Sequence, residues 1–100
     1  MSAIVFTQED LQKIIIQLLK KYNAEYGILF GSYARKQANE NSDIDLIVVG
    51  GNSFDPTDIF CIAEDLHEMT NKNVDVYELR EIEFDTPFYH NVISEGVRIA

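Results

Sequence analysis

Two aspartates, Asp43 and Asp45, open an otherwise apolar and β-branched segment, in Ser42-Asp43-Ile44-Asp45-Leu46. Side chains two apart on a strand project to the same face. Both carboxylates therefore point one way, close together, beside a core. Two such anions repel, and burying them is costly unless a cation neutralises them. Magnesium suits the arrangement, being a hard ion held by one or two carboxylates, waters and substrate phosphates. A third acid, Asp75, lies between two valines in Asn73-Val74-Asp75-Val76-Tyr77, where a packed strand would normally carry another apolar residue. Gly31-Ser32 completes the set, with ten residues between Ser32 and Asp43. Glycine lets a phosphate approach the backbone, and serine offers a hydroxyl and an amide.

Several elements must hold these residues. Thr7-Gln8-Glu9-Asp10 reads as a helix start, a threonine cap with acids in the first turn. Leu11, Ile14, Ile15, Leu18, Leu19 and Tyr22 follow at spacings of three and four, and the helix is expected to end near Lys20 and Lys21. Residues 25–30 read as a short strand, and 33–37 as a short helix after the Gly31-Ser32 break. Residues 43–49 form the clearest strand, ended by Gly50-Gly51-Asn52. A helix is expected from Pro56 to about Thr70, with Ile59, Ile62, Ala63, Leu66 and Met69 inward. Residues 73–79 make a third strand. Thr86-Pro87 starts a last helix that stops at Gly96, and residues 97–100 are an edge strand or a tail. The alternation predicts one α/β domain over residues 1–100, a small mixed sheet of three to four strands flanked by helices.

This order can assemble a site. If the helix after residue 56 is a crossover, the second and third strands run parallel and Asp75 lies beside Asp43 and Asp45. Antiparallel pairing of the first two strands brings Gly31-Ser32 to the same end, and the following helix would turn its N-terminus towards a bound anion. Each piece alone has a plainer reading: a turn or helix cap for Asp-x-Asp, a turn for Gly-Ser, an exposed edge residue for Asp75. The combination points to metal-assisted phosphoryl chemistry, with two ions clamping the attacking and leaving oxygens.

Gly31-Ser32-Tyr33-Ala34-Arg35, the spacing to Asp43 and the Asp43-Ile44-Asp45 strand resemble the nucleotidyltransferase superfamily that includes DNA polymerase beta. Among its branches the sequence is most similar to the minimal nucleotidyltransferases, the MNT domains. The resemblance takes in the leading helix, Asp75 as third acid and the closing Ile93-Ser94-Glu95-Gly96-Val97. It implies that Asp43 and Asp45 bridge two magnesium ions. Asp75 would bind the catalytic ion and help activate the acceptor hydroxyl, while Gly31 and Ser32 hold the β- and γ-phosphates of ATP. Arg35 and Lys36 are candidates for phosphate contact or for a solvated helix face. Lys36 departs from the family, which often has glycine there; a positive φ at this position would cost about 1 kcal/mol.

The chain has seventeen acids against eight bases, a net charge of −9. Residues 51–100 carry eleven of the acids and three of the bases. No basic stripe exists for direct nucleic-acid binding. The longest apolar runs are too short to cross a bilayer, and no signal-peptide pattern opens the sequence, so a cytoplasmic location is expected. One cysteine, Cys61, excludes an internal disulfide and a Cys-based zinc site and reads as a small buried hydrophobe. His67 and His90 are isolated and read as surface or interface groups, and Phe84, Phe88 and Tyr89 as core or interface.

The resemblance implies a magnesium-dependent transfer of AMP from ATP to a protein hydroxyl. In this family the acceptor is typically a HEPN-type helical toxin that the MNT antitoxin silences. A chain of this length leaves acceptor recognition to the acceptor, in a homo- or hetero-oligomer, and the acidic second half would complement a basic partner. The rival reading is a non-catalytic antitoxin that neutralises its partner by complex formation. Transfer to RNA ends or a small molecule is disfavoured by the absence of a basic surface or a second domain.

Overall fold

The computed structural model describes residues 5–100. Helix α1 spans Gln8–Lys21 and is closed at its start by a reciprocal cap: Asp10 N–H donates to Thr7 Oγ1 at 3.0 Å, and Thr7 N–H to the Asp10 carboxylate. Strand β1 is Tyr26–Phe30, the four-residue helix α2 is Gly31–Ala34, and strand β2 is Ile44–Val49. Helix α3 (Asp58–Thr70) leads to β3 (Val74–Glu78), a single 3-10 turn (Leu79–Glu81), helix α4 (Pro87–Glu95) and strand β4 (Val97–Ile99). The sheet order is β3-β2-β1-β4. β1 runs antiparallel to both β2 and β4, whereas β2 and β3, joined through α3, are parallel.

Strand alternation divides the sheet into two faces with different duties. Leu29, Ile44, Leu46, Val48 and Ile99 point to one face, where they bury against Leu11, Ile15 and Leu19 of α1 and Ile59, Ile62 and Leu66 of α3. Each such side chain withdrawn from water contributes roughly 1.5–3 kcal/mol, so this layer fixes the register of the sheet. By the same alternation Phe30, Asp45, Ile47, Asp75 and Tyr77 belong to the other face. Phe88 of α4 reaches that face and packs edge-on against Phe30, ring centroids 5.5 Å apart.

Several expected boundaries move for identifiable reasons. The short helix occupies 31–34 rather than 33–37. It is stopped by a Schellman turn in which Lys36 N–H donates to Tyr33 O and Gln37 N–H to Ser32 O, with Lys36 left-handed at φ 58°. On α3 the i+4 progression Ile62, Leu66, Thr70 is what buries, so Met69 turns outward at 49% exposure. Thr70 tolerates its burial by donating Oγ1–H to Leu66 O at 2.7 Å. Cys61 is exposed rather than buried, because it lies one position off that inward row. Phe84 and Phe88 are likewise exposed and not core. Residues 97–99 form a paired edge strand.

Candidate active site

Asp45 is the second residue of β2 and Asp75 the second of β3, and the parallel register sets them directly opposite each other. Phe30, the last residue of β1, is opposite Asp45 on its other side. The chain therefore leaves β1 beside Asp45, and Gly31 must pass its carboxylate closely. A Cβ at Gly31 would overlap Asp45 Oδ2, and the residue also has φ +74°, so both space and backbone call for glycine. Ser32 follows, half-buried. Asp43, exposed, precedes β2 by one residue. Asp45, Asp75 and Gly31 thus lie together at one end of one sheet face, with Ser32 and Asp43 next to them along the chain.

The electrostatics follow from this crowding. Burial, then the charges of Asp75 and Asp43 push the Asp45 carboxyl from 3.8 up to about 6, with Arg35 opposing. Asp45 is thus an anion held where anions are unwelcome. The donors are all hard carboxylate oxygens, which fits a hard divalent cation. Among the described residues no three acidic, His or Cys groups form a ready-made ligand set. Magnesium tolerates this, because it keeps waters and substrate phosphates in its shell and needs only one or two carboxylates.

Arg35 is the nearest expected cation, and it is held at the rim rather than over the acids. Its Nη1 donates to Glu95 Oε2 of α4 at 3.1 Å, and its Nε to Gln37 Oε1 at 3.2 Å. Two anchoring residues had no signal in the motifs. Gln8 Nε2 donates to Tyr33 O and Ala34 O, tying α1 to the end of α2. Lys72, only 4% exposed, donates Nζ–H to Glu40 O at 2.8 Å and so braces the 35–43 loop that delivers Asp43. The aromatic rings of Phe30, Tyr77 and Phe88 border the site, with Tyr77 and Phe88 open to solvent. Alternation could have found Tyr77, two residues after Asp75 on the same face. His67 and His90 lie exposed, and His67 Nδ1 contacts Lys72 O at 2.7 Å. A separate hollow of about 640 Å3 near Phe6 and Tyr33 is lined by none of the three aspartates.

Residues 12–100 match the family described as polymerase beta, nucleotidyltransferase. The chain belongs to that family. A relative from Methanocaldococcus jannaschii, named as a protein adenylyltransferase, is 34% identical over 73 residues, covering 73% of this chain and 78% of the relative. A second protein of that organism and name is 33% identical over 89% of this chain and 93% of its own. Among solved structures, a chain from a toxin–antitoxin complex with AMP-PNP superposes with a TM-score of 0.75 at 27% identity, covering 89% of this chain and 72% of that one. A chain from a complex of a tri-AMPylated Shewanella oneidensis HEPN toxin with its MNT antitoxin gives 0.70 at 25% identity, over 94% and 72%. In this nucleotidyltransferase Asp45 and Asp75 lie on the sheet face opposite α1 and α3. No helix among the described residues is long and apolar enough to cross a membrane.

Proposed function

We propose that the protein transfers AMP from ATP to a hydroxyl of a partner protein, and that a HEPN-type toxin is the acceptor it silences as antitoxin. The observation that carries this reading is the opposition of Asp45 and Asp75 with Gly31 pressed against Asp45. It joins a charged acid cluster to a point where backbone can approach phosphate. The adenylyltransferase names of the relatives and the toxin–antitoxin context of the similar structures support the choice of reaction and partner.

In this mechanism Asp43, Asp45 and Asp75 would hold magnesium. When bound, the metal cancels their charge and stabilises the charge that builds on the phosphoryl oxygens. Gly31 and Ser32 would receive the β- and γ-phosphates, beside Asp45. Asp75, the more exposed of the opposed pair, takes the proton of the acceptor hydroxyl. The acceptor oxygen bonds to the α-phosphorus as the bond to the bridging oxygen breaks, and pyrophosphate leaves.

The test is incubation with labelled ATP, magnesium and a HEPN-type partner. The partner should become labelled, and an Asp43→Asn, Asp45→Asn double variant should leave it unlabelled. Persistent labelling by that variant would overturn the catalytic assignment. A wild type that transfers nothing yet neutralises its partner would establish the binding-only antitoxin instead.

A further inference from the structure

β3 is an outer strand of the sheet, and the groove between it and α3 is open. This groove encloses about 550 Å3. Its apolar surface comes from Phe60, Ala63 and Val74 and its charged surface from Glu64, with Asp75 of the edge strand at its rim. Phe60 is 77% exposed, an unusual position for a phenylalanine on a helix whose opposite side is fully packed. A second hollow, about 400 Å3, adjoins the first through His67 and Asn73 and reaches Asp43. The two make a trough that follows the outer edge of β3 on its α3 side, from Phe60 past Asp75 to the loop at Asp43; the Asp75 side chain belongs by strand alternation to the other face, across this free edge.

We infer that this trough seats the acceptor polypeptide, a basic extended segment whose apolar side chain rests on Phe60 and whose hydroxyl-bearing side chain crosses the free edge of β3 to Asp75. The inference rests on the transfer reading above and specifies how the acceptor docks. Charge selects the occupant. Four acids line the trough, Glu40, Asp43, Glu64 and Asp75, against one base, Lys72, whose ammonium donates to Glu40 O. The surrounding half of the sequence, residues 51–100, has eleven acids against three bases. Such a surface attracts cationic chains and repels acidic ones. Position selects the role, because Asp75 lies at the rim of the groove on the edge strand and is also a member of the opposed acid pair. The outer edge of β3 also offers main-chain groups on which an extended segment can align.

Binding is measured by fluorescence anisotropy without nucleotide. The probe is a labelled twelve-residue peptide with a central Leu-Tyr pair flanked by Lys and Arg; its control carries Glu at the flanking positions. The basic peptide should bind at least tenfold more tightly, and more weakly as salt rises. Phe60→Ala and Glu64→Lys should each weaken it at least fivefold. Both positions are exposed, so the variants should keep the wild-type melting temperature. Equal binding of the two peptides, or binding unchanged in both variants, would overturn the proposal. So would a self-association of the wild type that Phe60→Ala abolishes, since a second copy would then be the occupant. Because no ATP is present, failure here leaves the transfer reading intact, and failed labelling of a partner leaves the groove result intact.

Discussion

Asp45 and Asp75 face each other across the parallel β2–β3 pair, so two carboxyl groups crowd the same end of one sheet face. Burial and the neighbouring acids raise Asp45 to about 6. A carboxyl with a higher pKa folded than unfolded keeps its proton longer in the folded state. Between pH 4 and 6 the folded protein thus binds more protons, and stability falls as pH rises through that window. The remaining solvent access reduces the effect to the order of 1–2 kcal/mol. In metal-free buffer the melting temperature should therefore drop from pH 4.5 to pH 7 by more for wild type than for Asp45→Asn. Adding magnesium at pH 7.5 should recover the loss in wild type only. An identical pH profile for the two proteins would refute the account.

Gly31 supplies a second measurable consequence. Its φ of +74° costs an L side chain about 1–2 kcal/mol, and the added Cβ would displace the Asp45 carboxylate. Gly51 has nearly the same φ, +76°, but would meet Glu25 rather than an acid of the site. Gly31→Ala and Gly51→Ala should thus lose similar stability in urea titrations. Only Gly31→Ala should lower kcat, by tenfold or more, since misplacing a reacting group by about 1 Å costs on the order of a hundredfold.

Lys36 occupies the left-handed position that ends α2, where glycine is the least strained residue. Lys36→Gly removes that strain but frees the unfolded chain, so the net gain should be about 0.5–1 kcal/mol. For a domain of this size that is a rise of roughly 2–8 °C in melting temperature. An unchanged or lower value would mean that the lysine side chain compensates through contacts of its own.

The acid cluster was legible in the sequence because each of its determinants is local or periodic. The two-residue spacing of Asp43 and Asp45 fixes their common face, and the α3 connection fixes the parallel register that brings Asp75 alongside. Asn-Val-Asp-Val alternation fixes which way Asp75 points. The supports were not legible, since they join residues far apart in sequence through groups that carry no pattern. Lys72 reaches the carbonyl of Glu40, and Gln8 reaches those of Tyr33 and Ala34. The inward row of α3 was misread at one position, because helical spacing permits either Met69 or Thr70 after Leu66. The exposed result for Cys61 has the same origin: cysteine composition favours burial, but position on the helix decides it.

Arg35 gives the sharpest division between a structural and a nucleotide-binding role. Its pair with Glu95 is solvent-exposed, and such pairs contribute less than about 1 kcal/mol. If bridging α2 to α4 is all it does, Arg35→Ala and Glu95→Gln should lower stability equally and slightly, with no effect on ATP. If the guanidinium leaves Glu95 to meet the phosphates, the two substitutions should diverge. Arg35→Ala would raise the KM for ATP several-fold, because a charge-assisted contact is lost. Glu95→Gln would lower it, because the arginine no longer has to abandon a carboxylate before binding. Arg35→Lys should restore the KM only partly, since an ammonium lacks the planar fork that grips phosphate oxygens in pairs. Opposite KM shifts in Arg35→Ala and Glu95→Gln are the expected outcome, and parallel shifts would confine Arg35 to the bridge.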